Sequence, residues 1–474
     1  MNGGGMVEGD DRVPKHGRAG IVPAVEPGVP SVERVWSLPA PAGRMPAPRV
    51  REWPLAVRAG QFLFLSGLLP VKADSGEMVA GYDDIPADAR WLETGSLLAD
   101  ALQERTAAQI WLLYERLGDT LERLGSSKAG ILLLNGWLTD FRQWPVLNGI
   151  RKRAFPPEAY PVSTTFQASG LNAPGAAALF EAIALAEGPL KRLPIGSAEQ
   201  VGAYFPGSKV GPFIFLAGEV PADPVGPVIV RGYDDLDPEG RKLATGQIGP
   251  DGWEGRIRAQ AWFVYRRLAK TLEAVGSSLA HIVKQNIYLR DPRDYPAVEE
   301  IGRMILGEKM PATMVVAVEE YGHREFLLEV EVTAVEQGSV SIERVESSSC
   351  PSLGPGFPAA IQAGQFLFIS GQLPVPPGGR RVVAGGRTKA ELAELQTAQI
   401  YRSVLALLRE RGLGADALAR QVIFFSDPAT ASAIERVARH ITGSAPPATT
   451  MVQVPALWPE PSLVQIDFTA AVRP

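Results

Sequence analysis

Three carboxylates recur at a fixed spacing. Glu181, Glu331 and Asp467 each lie twenty residues beyond a proline that opens Pro161-Val162-Ser163, Pro311-Ala312-Thr313 or Pro447-Ala448-Thr449. Each sits in a strand-like run. Glu331 shares its strand face with Glu329 and Thr333, and Asp467 shares its face with Gln465 and Thr469. Those polar faces could line a wet cleft. Glu181 shares its face with Leu179, Ile183 and Leu185. Burial there would raise its pKa and suit it to general acid–base work. The same three carboxylates would serve equally as salt bridges across a subunit-like interface.

Other chemistries find little support. The four histidines, His16, His281, His323 and His440, lie far apart with no HxxxH or HExxH spacing. The single cysteine, Cys350, rules out an internal disulfide and a cysteine-rich zinc site, and it reads as inert. A net charge of −5 without a long Lys/Arg run argues against nucleic acid as the main partner. No apolar run is long enough to span a bilayer, and the first twenty residues do not read as a secretory signal, so a cytoplasmic location is expected.

The elements that must position the carboxylates come in three copies. Residues 59–71 read AGQFLFLSGLLPV and residues 363–375 read AGQFLFISGQLPV, identical at eleven of thirteen positions. Residues 210–220 read VGPFIFLAGEV, a looser copy. Each predicts a strand ending at a glycine: Gly67, Gly218 or Gly371. An amphipathic helix announced by Ala-Gln follows, at Gln109, Gln260 and Gln399. In the first, Ile110, Leu113, Leu117 and Leu121 share one side, and Gly125 ends it. Fifteen residues after Gly125, Gly276 and Gly412 stand Asp140, Asp291 and Asp427. A second, shorter helix then leads to the proline and the final strand. From corner glycine to helix glutamine is 42 residues in copies one and two but 28 in copy three, so the first two carry a matching insertion of fourteen, a turn-rich loop or a wall of the site.

In order and spacing, the hairpin ending in SG, the Ala-Gln helix, the later Asp and the Pro turn before an EAIA or EVEVTAV strand resemble the RidA/YjgF family of enamine/imine deaminases. The resemblance covers nearly all of the chain beyond residue 45. It implies an α+β class of three tandem chorismate-mutase-like (RidA-like) domains. Family members are usually homotrimers with inward-facing sheets and sites in the clefts between subunits. The chain would then be that trimer made covalent, an intramolecular pseudo-trimer; the alternative is three beads on a string, or copies that trimerise between chains. The expected divisions are a flexible Pro/Gly-rich segment 1–45 and domains 46–190, 197–338 and 355–474. Linkers are expected over 188–197 and 336–358.

By the same resemblance, Glu181, Glu331 and Asp467 take the place of the carboxylate that positions the hydrolytic water. Imine hydrolysis needs a base for water and a proton donor for the departing amine. Active members hold the substrate carboxylate with an Arg two residues after the Pro. Ser163, Thr313 and Thr449 stand there instead, and a hydroxyl cannot replace a bidentate guanidinium. Candidate substitutes are Arg151 and Arg153, Arg324 beside His323, and Arg439 beside His440. The family's helix Asn corresponds to Asn148, with Glu299 and Glu435 as its counterparts. Ser66-Gly67, Gly218-Glu219 and Ser370-Gly371-Gln372 match the corner whose backbone lines the cleft. The resemblance implies a small-molecule substrate and no metal or organic cofactor, in a monomeric pseudo-trimer or a low-order homo-oligomer. The first expectation is a hydrolase of an imine, enamine or related conjugated amine. The alternatives are a non-catalytic small-molecule-binding pseudoenzyme, and aminomuconate-type deamination or lyase chemistry on the same scaffold.

Overall fold

The computed structural model describes residues 1, 32–36, 53–72, 75–196, 202–223, 228–308, 310–379 and 381–472. The first repeat contains β1 (Val32–Val35), β2 (Ala56–Ala59), β3 (Phe62–Leu65), α1 (Leu97–Arg123), β4 (Ile131–Leu138), α2 (Trp144–Ala154), β5 (Ser163–Gln167), β6 (Gly170–Leu171) and β7 (Ala178–Leu185). The second contains β8 (Arg192–Ile195), β9 (Gly207–Val210), β10 (Phe213–Glu219), β11 (Ala222–Asp223), β12 (Val228–Ile229), α3 (Ile248–Glu273), β13 (Ile282–Leu289), α4 (Tyr295–Leu306), β14 (Ala312–Ala317) and β15 (Leu328–Val335). The third contains β16 (Ile342–Val345), β17 (Ala360–Ala363), β18 (Phe366–Ile369), α5 (Lys389–Glu410), β19 (Leu418–Phe425), α6 (Ala431–Thr442), β20 (Ala448–Gln453) and β21 (Val464–Ala471).

One sheet topology occurs three times: β1-β2-β3-β7-β4-β5, β8-β9-β10-β15-β13-β14 and β16-β17-β18-β21-β19-β20. The last strand inserts between hairpin and central strand, and the edge strand runs parallel to the central one. The first strand of each sheet corrects the sequence expectation. β8 and β16 lie in the expected linkers, and β1 lies in the segment expected to be flexible, most of which is outside the described residues. Each pairs antiparallel with the hairpin and extends its outer edge.

The helices cover one face of each sheet. Ile110, Leu113, Leu117 and Leu121 are fully buried there, and Gly125, Gly276 and Gly412 follow the helix ends at φ of 70°, 79° and 69°, as a left-handed C′ position requires. Asp140, Asp291 and Asp427 cap the turn before the second helix by accepting from the N–H two residues on. The helix glutamine ties two loop carbonyls to the helix: Gln109 donates to Val79 and Gly175, and Gln260 to Val230 and Glu325. In the third repeat Gln396 does this, to Val383 and Pro461, whereas Gln399 donates to Ser403. The matching distance from Gly371 is therefore 25 residues, and the insertion is seventeen rather than fourteen.

The opposite faces of the three sheets meet. Phe62, Phe213 and Phe366, one from each repeat, touch pairwise with ring centroids 5.0–5.7 Å apart. A second shared apolar layer contains Trp137, Phe166, Tyr288 and Phe424. β6 of the first repeat extends the third sheet by pairing with β20. Strands buried on both faces read as continuous apolar runs, which is why ILLLNGWL and LARQVIFF show little alternation.

Candidate functional site

The three strand carboxylates face inward and are buried at 2–4% exposure. Their partners come from the central strands of their own and of neighbouring repeats and, for Glu331, also from β5. Arg420 on β19 donates to Glu181 at 2.8 Å and to Asp467 at 3.3 Å. Lys284 on β13 pairs with Asp467 and donates to the Ile369 carbonyl at 2.6 Å. The homologous residue on β4 is Leu133, so Glu331 meets no cation there. It accepts instead from Thr164 Oγ1 at 2.9 Å and Asn286 Nδ2 at 3.0 Å. Burial pushes its carboxyl up to about 7, and burial lowers the Lys284 ammonium. Lys284, Asn286, Glu331, Arg420 and Asp467 line a small central cavity with Phe64, Phe215 and Phe368. They form a polar core shared between the repeats.

The clefts lie between the hairpin corner of one repeat and the post-proline strand of another. Gly67 N donates to Thr449 O at 3.1 Å, and Gly371 N donates to Thr313 O at 2.9 Å. Ser66 and Ser370 hydroxyls accept from the same two threonine amides. Ala217 has no hydroxyl, and at the third junction Gly218 N donates to Thr164 Oγ1 at 3.0 Å instead.

Behind each junction a buried tyrosine is bridged to the post-proline hydroxyl. Tyr265 donates to Gln285, which donates to Thr313 at 2.9 Å. Tyr401 donates to Gln421, which donates to Thr449 at 3.0 Å. In the first repeat the strand position is Leu134, and Arg151 from α2 replaces the glutamine. Its Nε donates to Tyr114 at 2.9 Å and its Nη2 to Ser163 at 3.0 Å. Arg151 is 1% exposed, and among the described residues it has no carboxylate partner and Nη1 makes no hydrogen bond. Gly302 and Ala438 occupy its position on α4 and α6.

The corner walls diverge in parallel. The residue after the corner glycine and the strand residue two before the inner carboxylate are Leu68 and Leu179, Glu219 and Glu329, or Gln372 and Gln465. Tyr204 is within electrostatic reach of both acids and of Arg151. A Cβ on Gly218 would stand 1.9 Å from Glu329 Oε1, so the missing side chain is the space that the carboxyl fills. Glu219 pairs with Arg267 at 2.6 Å, whereas Glu329, 5% exposed, has no hydrogen-bond or ion-pair partner among the described residues. Burial pushes Glu219 up to about 7, and burial beside Glu331 and Glu219 pushes Glu329 well above the usual carboxylate range. Tyr204 stands near both walls. Its ring lies 5.9 Å from the Arg151 guanidinium, its own ionisation is suppressed by burial, and it feels the charges of Glu329 and Glu219. Asn148 accepts from Ala203 N beside it at 3.1 Å.

The equivalent aromatics, all thirteen residues before the corner serine or alanine, are Trp53 and Phe357. Trp53 donates to Glu435 at 2.8 Å, and Phe357 packs under Arg303, which holds Glu299 at 2.8 Å. Other expected residues stay apart. His323 and Arg324 are exposed on their loop, where His323 Nδ1 accepts from Glu325 N. Arg153 stacks 3.9 Å from the Trp91 ring of the insertion. Arg439 and His440 are exposed on α6. Cys350 is buried, donates to Gln372 and is pushed up to about 12 by burial.

Sequence reading missed Lys284, Arg420, Glu329 as distinct from Glu331, and Tyr204. The signal was available by aligning the repeats position by position, since Leu133/Lys284/Arg420 and Leu179/Glu329/Gln465 are the columns that change charge. Among the described residues no cluster of His, Cys, Asp and Glu could hold a metal ion, and no helix is long and apolar enough to cross a membrane.

The family model described as Endoribonuclease L-PSP matches residues 196–336 and 351–472, more than half of the chain. A RutC family protein of Pyrococcus abyssi is 31% identical over 137 residues, 29% of this chain and 89% of that protein. A 2-iminobutanoate/2-iminopropanoate deaminase of Dermatophagoides farinae is 23% identical over 122 residues, 26% of this chain and 77% of that protein. The crystal structure of a chorismatase is 14% identical, covering 72% of this chain and 93% of that one at a TM-score of 0.44. The first repeat is tied to the other two by its spacings and its sheet order.

Proposed function

The chain belongs to the Endoribonuclease L-PSP family, the RidA/YjgF family, and from that premise we propose that it is a deaminase-type hydrolase of a small imine or enamine, working at the junction of repeats one and two. The observation that carries this reading is a charge contrast. At that junction a buried guanidinium without a carboxylate partner, Arg151, and a buried carboxyl without a cation, Glu329, both lie within electrostatic reach of Tyr204. A buried unpaired charge is costly unless something supplies the counter-charge, and a small anionic substrate would do so. Arg151 takes over the anion-holding role that Ser163 cannot fill. Glu329 is the acid–base group, and the Gly218 amide belongs to the cleft wall.

This moves the chemistry from Glu181, Glu331 and Asp467 to Glu329. The three inner carboxylates are structural groups that join the repeats as an intramolecular pseudo-trimer, with each domain beginning one strand earlier than residues 46, 197 and 355. The junctions walled by Leu68 and Leu179, and by Gln372 and Gln465, are scaffold. Similarity to a protein named as an imine deaminase supports the reaction class.

The test is ammonia release from enzymatically generated imines, acidic and neutral, by wild type and by Glu329→Gln, Glu181→Gln, Glu331→Gln and Asp467→Asn. Release above the spontaneous rate should disappear in Glu329→Gln and survive in folded samples of the other three. A spontaneous rate on every substrate would favour the binding-protein alternative.

A further inference from the structure

The three post-proline hydroxyls end their hydrogen bonds differently. Thr313 Oγ1 accepts from Gln285 and donates to the Pro311 carbonyl at 2.8 Å. Thr449 Oγ1 accepts from Gln421 and donates to the Pro447 carbonyl at 2.9 Å. Both protons are engaged within their own turn. Ser163 Oγ accepts from Arg151 Nη2 at 3.0 Å, and among the described residues its own proton meets no acceptor. At 5% exposure such a donor costs free energy unless a partner comes to it.

Neighbouring replacements account for the difference. The Pro161 carbonyl accepts from Phe205 N at 2.9 Å, where Phe205 pairs with Val162 in a short parallel bridge. The other repeats carry Pro54 and Pro358 at the Phe205 position, and proline has no N–H to give. Their carbonyls accept instead from the corner serines, from Ser66 at 2.6 Å and from Ser370 at 2.7 Å. The second repeat has Ala217 at its corner, so that link is missing and the backbone bridge takes its place. Asn148 holds the bridging segment by accepting from Ala203 N, and it shares a face of α2 with Arg151. Arg151 in place of Gly302 or Ala438, Phe205 in place of a proline and Ala217 in place of a serine thus converge on one hydroxyl.

We propose that Ser163 is a specificity-determining residue of this cleft: its hydroxyl proton and the free Nη1 of Arg151 together bind the carboxylate of the substrate. The proposal rests on the hydrolase reading above. A lone hydroxyl does not replace a guanidinium, but beside one it adds a second donor. Donation from Arg151 to Oγ strengthens the hydroxyl as a donor in turn. Two donors side by side suit the two oxygens of a carboxylate. Ser163 and Arg151 are 5% and 1% exposed and already bonded to each other, so the seat is organised before a ligand arrives.

The experiment uses the full chain as wild type, Ser163→Ala, Ser163→Cys, Arg151→Gln and the Ser163→Ala, Arg151→Gln double variant. Calorimetry reads the binding of pyruvate, the 2-oxo acid that a carboxylated imine would leave, and of pyruvamide, its uncharged counterpart. Ammonia release from carboxylated and neutral imines gives KM and kcat. Ser163→Ala should weaken pyruvate binding and raise KM for carboxylated imines by about 10- to 150-fold, the range of a hydrogen bond to a charged group. Its kcat, pyruvamide binding and neutral imines should change little. Ser163→Cys, of nearly the same shape but a weaker donor, should fall between, and it carries the test should Ser163→Ala not fold. In the double variant the serine effect should persist, because the hydroxyl meets the ligand itself. Its disappearance there would reduce Ser163 to an anchor for Arg151 and overturn the proposal. Unchanged KM and pyruvate affinity in Ser163→Ala would overturn it too and leave the hydrolase reading standing. Serine-dependent pyruvate binding without release from any imine would uphold the seat and overturn the hydrolase reading. No preference of wild type for pyruvate over pyruvamide would overturn the seat.

Discussion

Arg151 Nη2 donates to Ser163 Oγ at 3.0 Å, so a guanidinium rooted on α2 stands over the strand position that carries a hydroxyl in all three repeats. Arg151→Gln removes the charge and shortens the side chain, and Leu134→Gln added to it restores from the strand the bridge that Gln285 and Gln421 make elsewhere. A charge-assisted contact contributes about 1.5–3 kcal/mol, so KM for carboxylated imines should rise roughly 10- to 150-fold while neutral imines are little affected. Equal effects on both classes would exclude an anion-holding role.

Gly218→Ala tests the close approach at the corner. The new Cβ would overlap the Glu329 carboxyl, with Cδ at 2.5 Å and Cγ at 2.7 Å, so the side chain must swing away. Activity should fall to the Glu329→Gln level, and unfolding stability should drop by about 1–3 kcal/mol. Full activity in Gly218→Ala would mean that the acid works from another position.

Arg420→Met should be the most damaging change in the central core. It removes the partner of two buried carboxylates on different repeats, a loss of about 3–5 kcal/mol. Adding Glu181→Gln and Asp467→Asn should recover part of it, because the stranded charges are then gone. Urea unfolding of the single and triple variants provides the check, and equal midpoints for the two would contradict the pairing.

Glu331 makes a prediction about pH. Its folded pKa is raised by burial from 4.5 to about 7, hydrogen bonds from Thr164 and Asn286 notwithstanding. The native state therefore keeps a proton that the unfolded chain releases between those values. Stability contributed by this group is complete below pH 4.5 and is lost as pH rises toward 7. Glu331→Gln should match wild type in acid and exceed it by up to about 3 kcal/mol above the window. Parallel unfolding midpoints across that range would rule this out.

The repeat, the helix-and-strand order and the three inner carboxylates were legible in the chain because they rest on local periodicity and on spacings that recur three times. The C′ glycines and the capping aspartates stood out for the same reason: each acts within a few residues of itself. β1, β8 and β16 did not, because four residues such as VERV or RLPI gain a strand identity only from the hairpin edge they join.

What the sequence determined alone was which side chains exist at each repeated position. Only the tertiary structure decided which ones meet. Glu181 finds Arg420 at a sequence distance of 239 residues, and Leu133 on β4 offers Glu331 no ion pair. A difference of two residues on β15 separates Glu331 in the central core from Glu329 beside Gly218. Strand parity puts both on one face and cannot tell them apart. Glu331 meets Thr164 from the first repeat while Glu329 fills the space over Gly218 of its own, and those neighbours give the two acids different surroundings.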